Sequence, residues 1–432
     1  MRLPLRLAYD AVALIARAAT SVAPSGNSKL LRALNERRGV LDRYRAWAAS
    51  GRDVSRPLLW MHAPSVGEGL QARPVLERMR QRRSDVQLAY THFSPSATGF
   101  AHALRMDFCD YLVLDTPGDS AAALDTLRPA ALVFSKLDVW PNLTAAARQR
   151  RVRLGLISAT LAEASSRRSR IARALLHDAY AALDAVGAVD GSDADRLIEL
   201  GVRQSAIEVT GDTRYDQVWE LAVSVGLVQG GRARPELRAL TSKRPSIVAG
   251  STWPADEAVL LPAFAQLHRS SPDLRLVIAP HEPTAAHVDP IIRWAQGAGI
   301  SAARLSDTKA GSADVVIIDR TGVLGDLYSL ASVAFVGGGF HGAGLHSVLE
   351  PAAFGAPVIV GPRYQMSRDA RLLIKSGGAI SVVDERALLT TMAQWLKDDD
   401  QRKEAGDTAR NFVRDGLGAA DRAFALVDRL IR

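Results

Sequence analysis

The stretch Pro57–Arg83, PLLWMHAPSVGEGLQARPVLERMRQRR, decides how the chain folds. Its first seven residues form an apolar run of strand length. A short turn, Ser-Val-Gly-Glu-Gly, then passes into a segment whose apolar and charged residues have helical spacing. A strand handed to a helix opens a βαβ unit, and repeats of that unit build a parallel sheet. Working outward, the same alternation continues through VQLAYT, YLVLD, AALVFS, VRLGLIS, AVGAV and IEVTG. It pauses at GLVQGGRARPEL, 226–237, which is glycine-rich, charged and without apolar period, as a linker would be. A second series follows: PSIVAGS, LRLVIAP, ADVVIID, VAFVGGG and APVIVGP. The expected fold is α/β, with two Rossmann-like, doubly wound domains facing a central cleft. The expected divisions are an N-terminal segment 1–52, a domain 53–225, the linker 226–237 and a domain 238–432. Ligands should gather at the C-terminal ends of the strands that border the cleft.

The 432 residues suffice for two sizeable cores, and 47% hydrophobic with 23% charged residues is a globular composition. The single cysteine, Cys109, excludes a disulfide framework and a cysteine metal cluster. Between Met1 and Arg52 ten basic residues stand against three acids, which accounts for most of the net charge of +8. Such an arm meets either nucleic acid or an anionic membrane. The Ala- and Leu-rich segment LPLRLAYDAVALIARAATSVAP favours the membrane. Arg6, Asp10 and Arg17 interrupt it too often for a spanning helix or a signal peptide, so an amphipathic helix in the membrane interface is expected, with its cations toward the headgroups. The plainer alternative is a terminal helix packed on the protein's own surface.

Several strand ends carry chemistry. Ser65 and Glu68 have the spacing of a capping box, yet the flanking Gly67 and Gly69 weaken a helix and clear space around the carboxylate. Ser135, Lys136 and Asp138 end another strand in LVFSKLDVWPNL. Lys136 and Asp138 are close enough to pair with each other; as a functional pair they would bind an anionic acceptor and assist a base. Ser94 and Ser96 lie in SPSATG, where a strand opens a helix whose free amides suit an anion. In the second half Ser251 and Thr252 either cap a helix or bind phosphate, and His281 ends the next strand. The run FVGGGFHGAGLHSVLEPAAFGAPVIVGP, 335–362, sets Gly338 and Gly339 before His346, Ser347 and Glu350. Glycines let a ligand approach the backbone, a helix start suits phosphate, and a carboxylate one turn on can hold ribose hydroxyls. The run is neither GxGxxG nor a P-loop, so neither NAD binding nor ATP hydrolysis is indicated.

In order along the chain, HAPSVGEG, DVWPNL, TGDTRYD, the GST at Gly250 and the FVGGG…LHSVLEPAAFGAPVIVGP block resemble the 3-deoxy-D-manno-octulosonic acid (Kdo) transferases. That resemblance implies the GT-B fold and an inverting glycosyltransferase that needs no metal or cofactor. It implies transfer of Kdo from CMP-Kdo to a phosphorylated lipid A precursor, in lipopolysaccharide synthesis. The implied location is peripheral or monotopic, on the cytoplasmic face of the inner membrane. Glu68 then matches the catalytic base, with Asp138 as a second catalytic carboxylate. Ser65, Ser94, Ser96 and Lys136 fall to the acceptor. Ser251, Thr252, His281, Gly338, Gly339, His346, Ser347, Glu350 and Arg363 fall to the donor. This chain departs from the family pattern at Lys136, where an acid is usual, and at Arg363, where a histidine is usual. Two other readings stay open: a different nucleotide sugar or lipid acceptor, and a membrane-bound scaffold without catalysis.

Overall fold

The computed structural model describes residues 3–24, 26, 28–227, 237, 240–241, 244–342 and 344–432. The chain divides into two compact units, Met1–Gln217 with Leu417–Arg432, and Val218–Gly416. The first unit carries β1 (Leu58–His62), β2 (Gln87–His92), β3 (Phe108–Tyr111), β4 (Ala131–Ser135), β5 (Arg153–Ala159), β6 (Ala185–Ala188) and β7 (Ile207–Val209). They form one parallel sheet in the order β3-β2-β1-β4-β5-β6-β7. All five residues of β1 are buried, because helices cover both faces of a parallel sheet and leave its central strands no wet side. Side chains alternate across it. Leu58 and Trp60 join one core with Tyr44 and Phe134, while Leu59 and Met61 join another with Tyr90 and Val133.

The second unit holds β8 (Ser246–Thr252), β9 (Arg275–Pro280), β10 (Ala302–Arg304), β11 (Val315–Ile317), β12 (Val333–Val336), β13 (Val358–Val360) and β14 (Ala379–Ser381). Its sheet is again parallel, in the order β10-β11-β9-β8-β12-β13-β14. Each sheet therefore reverses its winding once, between β1 and β4 in the first unit and between β8 and β12 in the second. Such switch points leave a crevice beyond the strands' C-terminal ends.

Twelve of these strands lie on or beside the apolar runs expected. The two missed, β10 and β14, are three-residue edge strands too short to show a period. β3 ends at Tyr111, where the YLVLD run begins. Leu112 and Val113 are still buried after the ladder stops, so burial continued the apolar signal past the strand.

The domain limits differ from those expected. The final helix, Ala419–Ile431, packs against the first sheet through Ala423, Leu426, Val427, Leu430 and Ile431, so residues 417–432 belong with the first unit. Nor is 1–52 a separate segment. Helix α1 (Leu3–Val22) is followed by α2 (Lys29–Asn35) and α3 (Val40–Ser50), and Tyr44 of α3 is fully buried in the core, donating to the Tyr111 carbonyl at 2.8 Å. Of the expected linker, 228–236 lies outside the described residues.

Candidate active site

In the first unit the loops leaving β1 and β4 meet around Glu68. Ser65 is the N-cap of α4 (Val66–Arg82), its hydroxyl accepting from the Gly67 amide at 3.2 Å. That hydroxyl donates to Glu68 Oε2, while Lys136 Nζ donates to Oε1 at 3.0 Å. The Ser135 hydroxyl, at the end of β4, donates to the Glu68 carbonyl at 2.9 Å and ties the turn to the sheet. Burial works to raise the Glu68 pKa, but the Ser65 hydroxyl and the Lys136 ammonium outweigh it and hold the carboxyl below its ordinary value. Glu68 is thus an ionised, half-buried carboxylate at neutral pH.

A second carboxylate is held beside it. Asp138 Oδ2 lies 3.1 Å from His62 Nε2 and accepts from the Trp140 indole at 3.0 Å. His62 is fully buried at the end of β1, its Nδ1 3.1 Å from the Thr91 hydroxyl, which itself accepts from the Trp60 indole at 2.9 Å. Trp60, Thr91, His62 and Asp138 thus form one hydrogen-bonded chain from the core to the crevice. The next residues explain the Trp-Pro-Asn sequence. Pro141 starts the helix Pro141–Gln149, and the Asn142 and Leu143 amides donate to buried Asp115 at 2.9 and 2.7 Å.

Asp115 and Asn142 also seat α1. Tyr9 donates to Asp115 at 2.8 Å, Asn142 donates to Asp10 at 2.7 Å, and Arg17 pairs with Asp119 at 2.6 Å. Tyr9 and Asp10 thus face the domain, while several apolar side chains face outward. Leu7, Val12, Ile15 and Val22 are between 61% and 80% exposed. Among the described residues no helix is long and apolar enough to cross a membrane.

In the second unit the loops after β8, β9, β12 and β13 converge at the switch point. Ser251 holds a left-handed backbone, φ +56°, a strained state for serine and one that clusters at ligand sites. Trp253 stacks on His281 at 4.6 Å and on His341 at 4.2 Å, and its indole N–H donates to His346 Nε2 at 3.2 Å. Buried Asp256 accepts from the amides of Trp253, Gly338 and Phe340 at 2.9, 2.7 and 3.0 Å, pinning the glycine loop to this helix start. Burial lifts Glu350 from its ordinary 4.5 to about 7.

Comparison with known proteins shows the family to which the chain belongs. Residues 32–217 match the family described as 3-deoxy-D-manno-octulosonic-acid transferase (kdotransferase). The 3-deoxy-D-manno-octulosonic acid transferase of Bordetella pertussis is 32% identical, over 89% of this chain and 90% of its own. That of Haemophilus influenzae is 25% identical, over 85% and 86%. The chain belongs to the Kdo transferase family. As a member it is a glycosyltransferase. The UDP-GlcNAc 2-epimerase of Neisseria meningitidis shares the fold, with a TM-score of 0.64 at 12% identity, over 86% of this chain and 99% of that one. Two Rossmann-like domains of the GT-B type are the common architecture.

Set on a Kdo transferase, the expected residues sort unevenly. Glu68, Ser65, Lys136 and Asp138 are gathered at one switch point, but Lys136 pairs with Glu68 and not with Asp138. Ser65 holds Glu68 through its hydroxyl, where a capping box would have the carboxylate accept from the serine amide. Gly69 does not clear room for the carboxylate; a Cβ there would fall 2.4 Å from Phe100 and 2.8 Å from the Tyr90 hydroxyl. Ser94 and Ser96 bond to each other at 2.8 Å, and the helices that follow them are short, Pro95–Ala97 and Thr98–Ala103. In the second unit the His281 and His346 rings stand 4.6 Å apart, Ser251 lies near the end of β8, and Ser347 is exposed next to His346 in the chain. Arg363 is exposed on the loop after β13, its amide donating to the Gly339 carbonyl. Thr252 turns inward and donates to Glu257 at 2.9 Å. Gly338 and Gly339 serve backbone packing, since a Cβ on them would fall 2.2 Å from the Gly344 carbonyl and 2.4 Å from the Gly361 nitrogen. Glu350 lies in a helix of only five residues, Leu349–Ala353, too short for a strong terminal dipole. Sequence reasoning missed His62, Asp115, Trp253 and Asp256. Of these, His62 opens the HAPSVGEG run, and Asp256 is an acid in the first turn of a helix that follows a strand end.

Proposed function

We propose that this chain transfers Kdo from CMP-Kdo to a lipid A precursor at a membrane surface. The observation that carries the reading is the Glu68 carboxylate, kept ionised by Ser65 and Lys136 at the first switch point of a Kdo transferase family member. In the reaction an acceptor hydroxyl oxygen attacks the anomeric carbon of Kdo. The new carbon–oxygen bond forms as the bond to the CMP phosphate breaks, and attack from the opposite face inverts the centre. The hydroxyl proton passes to Glu68, and CMP departs with the electron pair. Asp138, oriented by His62 and Trp140, takes a second hydroxyl of the acceptor sugar and fixes its angle of attack.

The donor carries a phosphate and a sugar carboxylate, so its half of the site needs cations and hydrogen-bond donors. Arg363, the Ser251 hydroxyl and the imidazoles of His281 and His346 supply them, and Glu350 suits the ribose. With those groups the departing phosphate needs no metal. The outward apolar residues of α1 lie in the lipid interface, and Tyr9 on the inward side brings that interface to the Asp115–Asn142 corner beside Asp138. A nucleotide-sugar donor puts the active face on the cytoplasmic side.

The test incubates the purified full chain with lipid A precursor and CMP-Kdo generated in situ, and reads the lipid by mass spectrometry. Native protein should add the mass of Kdo. Glu68→Gln should cut transfer by about 10³-fold or more while leaving the circular dichroism spectrum unchanged. Turnover of a UDP-sugar without Kdo transfer would overturn the donor assignment, and an active Glu68→Gln protein would overturn the base.

A further inference from the structure

The imidazole cluster of the second unit holds a constraint that the transfer reaction itself does not require. An indole N–H only donates, so the nitrogen that receives it, Nε2 of His346, carries no proton. The ring's proton must sit on Nδ1. The Trp253 ring cannot slip away to release it, since it stacks on both His281 and His341. Its backbone is held as well, by the Asp256 carboxylate at the start of the helix Pro254–Ser270.

We propose that Trp253 is a positioning residue that locks His346 as a neutral imidazole with its proton on Nδ1, so that near neutral pH His346 offers the donor a hydrogen bond and no positive charge. The proposal rests on reading this crevice as the CMP-Kdo site. A cation at position 346 would bind the leaving phosphate tightly after transfer as well as before it, and so slow the release of CMP. A neutral N–H donor orients the phosphate without that cost. The titratable and charged groups around His346 agree. His281 stands 4.6 Å away from the loop after β9, and Asp256 faces it from the helix start. His341 lies against the same indole, and Arg363 reaches that loop at Gly342. Burial, then His281, hold the His346 imidazole below its ordinary value, against the pull of Asp256.

The test is nitrogen NMR of the full-length protein with labelled histidine, the His346 signals being identified by their loss in His346→Gln. Native protein should show Nε2 as an unprotonated nitrogen and Nδ1 as a protonated one, with a titration midpoint below that of free imidazole. Trp253→Phe keeps an aromatic ring but removes the N–H, so its His346 should mix tautomers and titrate at higher pH. In donor kinetics, the ratio of KM at pH 8 to KM at pH 5.5 should be about tenfold larger for Trp253→Phe than for native protein. His346→Gln accepts from the indole through its amide oxygen and still donates. It should raise KM less than His346→Ala, which should raise it about tenfold. A proton on Nε2 in the native protein, or a titration unmoved by Trp253→Phe, overturns the lock. Native protein with the expected tautomer but no affinity for CMP-Kdo overturns the donor reading and leaves the lock standing.

Discussion

Lys136 takes a left-handed backbone, φ +67°, at the end of β4, and its amide still donates to the Ile157 carbonyl on β5. That conformation turns the side chain back to Glu68, a cost of order 1–3 kcal/mol that the surrounding sheet sustains. The ammonium stabilises the carboxylate, so removing it must raise the Glu68 pKa. Lys136→Met should therefore move the acid limb of the pH–rate profile to higher pH. Relative to pH 7.5, the variant should lose roughly threefold or more activity at pH 5 than native protein does; parallel profiles would show that Lys136 does not tune the base. Glu350 titrates in the opposite sense. Its folded pKa of about 7 lies above the ordinary 4.5, so the folded protein holds the proton more tightly than the unfolded chain. Stability then falls as pH rises through that window and stays lower above it. Glu350→Gln should be about 1–3 kcal/mol more stable than native at pH 8 and equal to it below pH 4, as read by urea unfolding at the two pH values. An equal offset at both would remove the buried charge as its cause.

At the scale of elements, α1 shows how a helix can be both docked and exposed. Half-buried Tyr9 and Asp10 and the Arg17–Asp119 pair bind it to its domain, so its cations are not all free for headgroups. The stripe that remains outward is apolar. Val12→Glu with Ile15→Glu alters only exposed side chains and should leave the fold unchanged. It should cut co-sedimentation with anionic vesicles by about tenfold or more, since each buried apolar side chain contributes about 1.5–3 kcal/mol. Unchanged binding would mean the stripe meets something other than lipid. The basic arm was legible in sequence but its use was not, because Arg37 is buried over Phe93, and Arg43 pairs with Asp110 at 2.6 Å. A count of charges cannot tell an internal cation from a surface one. The glycine loop gives the same lesson. Its composition read as ligand-binding, whereas close approach of backbone to backbone is what excludes a side chain at Gly338 and Gly339.

Over the whole molecule, the TGDTRYD stretch proves to be a latch. Asp216 accepts from the amides of Gly418 and Ala420 at 2.9 Å each, and Arg422 donates to the Thr210 carbonyl at 2.8 Å. These contacts return the last helix to the first sheet. Ending the chain at Gly416 would expose five apolar side chains of that core, a loss of about 7 kcal/mol or more, comparable to a domain's entire stability. Limited proteolysis of the truncated chain should digest the first unit and spare the second; a resistant first unit would show that the helix is dispensable. Two parallel sheets, twelve of the strands and the strand-end placement of Glu68, Asp138 and Ser251 were legible in the amino-acid order alone. Strand runs and strand-end turns are local patterns, and local patterns are written in consecutive residues. It took the folded arrangement to show that Lys136 answers Glu68, that His62 steadies Asp138, that the Trp253 indole meets His346 and that the C-terminus closes the first core. Those pairings join residues far apart in the chain, and their geometry is set by which strands lie side by side.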